Sequence, residues 1–168
     1  MTPQVSLIMG SKSDLPVMEK AAEILNNLKI PFEMNALSAH RTPKEVEEFV
    51  GSVESRGIKV IIAAAGMAAH LPGVIASMTQ IPVIGVPIDR SLNGLDALLS
   101  IVQMPPGIPV ATVGINAAQN AGILASQILG LSDKKIAERL SDFKHNQKDK
   151  ITKANQDLSK VKYDYKVG

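Results

Sequence analysis

Three short apolar runs constrain this chain more than any other feature: Val5–Met9 (VSLIM), Lys59–Ala64 (KVIIAA) and Pro82–Pro87 (PVIGVP). None shows the apolar–polar alternation of a strand with one wet face, so each fits a strand buried on both faces. Such strands need cover above and below, and segments of helical period lie between them. Met18, Ala21, Ala22, Leu25 and Leu28 share one helix face before Pro31. Ser13 or Asp14 is placed to cap that helix, with Pro16 in its first turn. Phe32–Leu37 reads as a strand, and Thr42-Pro43 opens a helix that runs to about Arg56. A short helix is predicted over Pro72–Met78, another over Leu92–Val102, a fifth strand over Val110–Val113 and an Ala-rich helix over Ala117–Leu129. Strand–helix units joined by short loops imply parallel pairing with right-handed crossovers. The predicted fold is α/β: a three-layer, flavodoxin-like sandwich with helices on both faces of a parallel sheet.

The 168 residues suit one domain. Aromatics are 3% of the chain and Trp is absent, so the core must be packed from Ala, Val, Ile, Leu and Met. After Ser132 the sequence turns polar, with Ile136, Leu140, Phe143 and Ile151 at roughly helical spacing. This predicts a catalytic domain over 1–131 and a helical extension over 132–168, in which a long C-terminal helix over Ser132–Lys162 leaves the core and packs across subunits. A net charge of +2 is too small for a nucleic-acid surface. No apolar run has membrane-spanning length. The chain contains no Cys and opens without a charged-then-apolar leader, so a soluble cytoplasmic protein is expected.

In an open parallel sheet, ligands bind beyond the carboxyl ends of the strands, and three loops there carry polar chemistry. Gly10-Ser11-Lys12-Ser13-Asp14 follows the first strand. Its hydroxyls and the next helix's free N–H groups can hold an oxyanion, and Asp14 can accept bonds from a sugar diol. The plain alternative is an ordinary turn with a capping Asp, and the string is no P-loop. Ser38-Ala39-His40-Arg41-Thr42-Pro43 follows the second strand. Arg41 offers a donor fork suited to phosphate, Ser38 a hydroxyl, and histidine is the side chain that exchanges protons near neutral pH. Here the alternative is a loop with a surface-paired Arg and a solvated His. Ala63–Gly73 (AAAGMAAHLPG) lets backbone approach a flat ring or a trapped small molecule. His70 is either catalytic or a brace for that loop, and bracing is favoured. His145 reads as solvated. Separate histidines without Cys, HxH or HExxH spacing provide no metal ligand set. The residues by themselves reach a small phosphorylated, sugar-bearing ligand with His40 as candidate acid/base.

Five strings in order resemble one family: MGSKSD (Met9–Asp14), SAHRTP (Ser38–Pro43), AGMAAHLPG (Ala65–Gly73), GVP (Gly85–Pro87) and SIVQMPPGIPVATV (Ser100–Val113). The chain resembles the bacterial-type 5-(carboxyamino)imidazole ribonucleotide mutases, a branch of the family that includes phosphoribosylaminoimidazole carboxylase catalytic subunits. That resemblance implies the same sandwich fold, an octamer, a ribonucleotide substrate, carbon dioxide as an enclosed intermediate and no metal or organic cofactor. It implies Ser11, Ser13, Ser38 and Arg41 as substrate binders, Asp14 on the ribose and His40 as general acid/base. Gly66, Ala68, His70 and Leu71 would line the base and carbon dioxide pocket. Met67 departs from the family pattern, where Gly is frequent, and so does Asp89-Arg90-Ser91, where smaller neutral residues are expected. Two other functions are weighed. One is a carboxylase using free carbon dioxide. The other is a non-enzymatic flavodoxin-like domain, but the loops lack aromatics to stack on a flavin and the first strand lacks the acidic cluster of a phospho-receiver.

Overall fold

The computed structural model describes residues 1–167. Strands β1 (Val5–Met9), β2 (Phe32–Ala36), β3 (Val60–Gly66), β4 (Val83–Ile88) and β5 (Ala111–Thr112) alternate with helices α1 (Leu15–Asn27), α2 (Pro43–Ser52), α3 (Leu71–Ala76), α4 (Leu95–Val102), α5 (Ala118–Gly130) and α6 (Lys134–Ser159). The strands form one sheet in the order β2-β1-β3-β4-β5. Every pairing is parallel. β1 and β4 are buried throughout, and β3 along all but its last residue, so these strands leave no face for water. The sandwich predicted from the apolar runs is the fold observed.

Successive side chains of a strand feed opposite faces. Val5, Leu7 and Met9 join Met18, Ala21 and Leu25 of α1, Ala118, Ala121 and Ala125 of α5, and Ile136 and Leu140 of α6. Ile8, Ile61 and Ala63 join Val46 and Val50 of α2, Leu71 and Ile75 of α3, and Ile101 of α4 on the other side. The lean side chains allow close approach. A Cβ on Gly122 of α5 would lie 3.1 Å from the carbonyl oxygen of Ala21 in α1. On the edge strand, Glu33 gathers the polar groups: it accepts from the buried Ser6 hydroxyl at 3.0 Å and from Arg56 Nη1 at 2.7 and 2.8 Å.

Several boundaries depart from expectation. Neither Ser13 nor Asp14 caps α1 with its side chain; Ser11 instead caps a short 3-10 turn over Lys12–Asp14, accepting from the Ser13 amide. Thr42 makes no cap bond either, because its hydroxyl is used within its own loop, accepting from the Ser38 amide and donating to the Ser38 carbonyl. α2 stops at Ser52, and the chain turns through Gly57 at φ +81° before reaching β3. Leu92 and Asn93 adopt left-handed backbone, which delays α4 until Leu95. Asp133 caps α6, accepting from the Lys135 and Ile136 amides. The first turns of α6 do not leave the core, since Ile136 and Leu140 are buried in it. Beyond Phe143 the helix is exposed.

This difference along α6 yields a prediction. Ile136→Ala should destabilise the protein by about 2–5 kcal/mol, the usual cost of truncating a fully buried aliphatic side chain. Urea unfolding measures it, and a midpoint equal to that of the parent would remove α6 from the core.

Candidate functional site

The chain runs outward from β1 to β2 and then back across β1 to β3, so the crossovers diverge between β1 and β3. The loops after these strands must part there, and they open a crevice at the carboxyl edge. A cleft of about 590 Å³ occupies that position. Its walls are the loop after β1 (Gly10, Ser11, Ser13, Asp14), the loop after β2 (Ser38 to Arg41), and the end of β3 with the start of α3 (Ala65 to Ala69, Leu71). Arg90, after β4, completes it.

Hydrogen bonds join the loops to one another. Arg41 donates from Nη2 to the Gly10 carbonyl at 2.6 Å and from Nε to the Ser38 hydroxyl at 3.3 Å. The guanidinium is thereby held between two loops, and its Nη1 has no partner among the described residues. Ser11 accepts from the Ser13 hydroxyl at 3.0 Å. Asp14 is buried but not isolated, because Arg90 donates to its Oδ1 from Nη2 at 2.8 Å and from Nε at 3.2 Å. With that pair internally neutralised, Arg41 is the net positive charge of the cleft, as an anionic ligand requires. His40 stands exposed on the rim, and its ring makes no hydrogen bond among the described residues.

The floor is made of small residues. Gly66 ends β3, and Met67 follows with φ +58°, a left-handed backbone that glycine adopts without penalty. This is a physical reason to expect Gly at the position Met67 occupies. Of the residues predicted to form the site, Ser11, Ser13, Asp14, Ser38, His40, Arg41, Gly66, Ala68 and Leu71 all line the cleft. His70 is not among the lining residues. Its ring occupies the space that a Cβ on Gly73 would fill, and its Nδ1 is buried without a hydrogen-bond partner. The ring packs against α3. His145 is exposed on α6. Among the described residues no three His, Cys, Asp or Glu side chains gather as a metal site, and no helix is long and apolar enough to cross a membrane. Of the lining residues outside the predicted set, Arg90 is the charged one. The available signal was its position, a basic side chain two residues beyond a fully apolar strand.

Known proteins share this architecture. The family model described as AIR carboxylase matches residues 4–150. The chain is 58% identical to an N5-carboxyaminoimidazole ribonucleotide mutase of Pyrococcus abyssi, over 87% of this chain and 84% of that protein. It is 55% identical to one of Thermotoga maritima, over 96% of this chain and 95% of the relative. A crystal structure of a PurE2 variant from Treponema denticola superposes with a TM-score of 0.86 at 31% identity, covering 94% of this chain and 99% of that one.

The packing of His70 on Gly73 can be tested without a ligand. Alanine at Gly73 gains up to about 1 kcal/mol of helix propensity, but overpacking against the ring costs about 1–3 kcal/mol. Gly73→Ala should therefore lower the urea midpoint in the parent chain. In a His70→Ala background it should leave the midpoint unchanged or raise it. Equal losses in both backgrounds would show that the ring is not what Gly73 accommodates.

Proposed function

This chain belongs to the AIR carboxylase family, and from that premise we propose that it is an N5-carboxyaminoimidazole ribonucleotide mutase of purine biosynthesis. The observation that carries the reading is the cleft itself, where Ser11, Ser38, His40 and Arg41 converge beside a floor of small residues. Relatives matched over nearly their whole length bear the same activity in their names. The rival within the family is a carboxylase taking free carbon dioxide. It would use the same cleft, and it differs in whether the transferred carbon ever leaves.

In the mutase reading, Arg41 binds the phosphate with its forked donors, assisted by the Ser11, Ser13 and Ser38 hydroxyls. Asp14 accepts from the ribose. The imidazole lies over Gly66 and Ala68, with Leu71 at the apolar end. Protonated His40 gives its proton to the exocyclic nitrogen as the carbamate C–N bond breaks, releasing carbon dioxide and a neutral amine. The ring carbon then forms its bond to that carbon dioxide, and neutral His40 removes the ring proton to restore aromaticity. The proton count closes, and the imidazolium is regenerated. The rim at His40 and Arg41 is exposed, so the bound nucleotide and a neighbouring subunit must complete the enclosure. Enclosure matters because it substitutes for the high concentration that a dissolved gas lacks.

The resemblance implies a cytoplasmic homo-octamer, and we propose that copies of this chain associate. Support comes from an unpartnered stripe: Leu92, Leu95, Leu99 and Val102 are exposed at helical spacing along α4 and the turn before it. The exposed part of α6 adds Ile151 and Leu158. Apolar rows of this kind mark contacts between chains.

Two outcomes follow. His40→Asn should retain the fold and nucleotide binding yet lose about 10²–10⁴ in turnover of the carbamate without added bicarbonate; near-parental turnover would remove His40 from proton transfer. Leu95→Glu with Leu99→Glu should shift the mass seen by light scattering from the octamer to smaller species. An unchanged octamer would place the subunit contacts elsewhere.

A further inference from the structure

We infer that Arg90 is a positioning residue that makes Asp14 selective for a sugar diol. The inference rests on the ribonucleotide reading of the cleft and goes beyond it, to a group that reading leaves without a task.

Asp14 has a side chain only 7% exposed, and a carboxylate so enclosed is costly to keep charged unless a cation faces it. Arg90 is that cation, and the bonding is one-sided. Nη2 and Nε both donate to Oδ1, while Oδ2 has no partner among the described residues although Asp14 lines the cleft. One oxygen is saturated by the protein, and the other remains as an acceptor. A diol carries two donors and suits an acceptor of this kind.

The arginine reaches Asp14 along a route prepared by the fold. It starts beyond β4, and its target lies beyond β1, with β3 between them in the sheet. The stem passes directly over the end of β3, where a Cβ on Gly66 would lie 2.5 Å from Arg90 Cγ and 3.4 Å from the Ile88 carbonyl oxygen. Gly66 therefore leaves a passage for the arginine. Arg90 Nη2 also donates to the Ser13 carbonyl, which fixes the guanidinium against the turn that carries Asp14. Ser13 and Asp14 are thus held from the far side of the crevice.

The test is calorimetric titration of the full-length protein with aminoimidazole ribonucleotide and with its dideoxyribose counterpart, which keeps the base and phosphate but lacks the diol. The parent should prefer the ribonucleotide. Arg90→Ala should weaken ribonucleotide binding about tenfold to a hundredfold, the range for a charged hydrogen bond, while dideoxy affinity holds, so the preference collapses. KM should rise by more than kcat falls. Arg90→Lys should recover part of the preference. Arg90→Gln, which retains a donor, keeps the test open should the alanine chain fail to fold, and it should lose preference similarly. Asp14→Asn should collapse the same preference, with no further loss when combined with Arg90→Ala. Equal weakening of both ligands would overturn the inference and make Arg90 an anion contact. A preserved preference would reduce Arg90 to a brace. A parent that binds the ribonucleotide no better than its dideoxy counterpart would sink the diol assignment together with Arg90. A parent that binds neither would instead sink the ribonucleotide reading itself.

Discussion

Everything in this molecule follows from three central strands that exclude water from both faces. A strand such as Val60–Gly66 cannot lie on a surface, so the chain must carry helices above and below it. Parallel neighbours then require each connection to cross a face and return to the same edge. All strand-to-helix loops consequently collect at the carboxyl edge. Because β1 lies between β2 and β3, the chain reverses its direction of winding there, and the loops separate into a crevice. The cleft is a consequence of the pairing order rather than an addition to the fold.

The second dependence is on small side chains. Gly66 admits the Arg90 stem, Gly73 admits the His70 ring, and a Cβ on Gly85 of β4 would meet Ile101 of α4. Such positions let a chain with few aromatics pack its layers tightly while leaving a low floor under the ligand. Their rigidity also sets what the loops can do. Arg41 is tied to Gly10 and Ser38, and Arg90 to Ser13 and Asp14, so the charged groups are arrayed before a substrate arrives. Groups ordered in advance need little reorganisation during the reaction.

Much of this was legible in the residues. β1 is predicted over the residues it occupies, because four apolar side chains around a single Ser, bounded by Gly10, leave little choice. The loops carrying Ser11, Ser38, His40 and Arg41 could be read because their polar residues directly follow such strands. What escaped prediction depended on local backbone or on distant partners. β5 shrank to Ala111–Thr112 because only Ile84 and Gly85 pair with it. α2 ended early where the chain needs the left-handed turn at Gly57, and the left-handed Leu92-Asn93 pair cut the start from α4. The expected cap role of Asp14 gave way to an ion pair with a residue 76 positions away. No local pattern carries that distance.

The mutase reading requires that the carboxylate move within an enclosed cleft and not pass through solution. It is tested most directly by supplying unlabelled carbamate together with labelled bicarbonate during rapid turnover, and following label into the carbon-carboxylated product. The mechanism predicts early product with little label, because ring attack outpaces escape of carbon dioxide from the cleft. Product labelled from the first turnovers to the level of the bicarbonate pool would contradict it and identify a carboxylase instead.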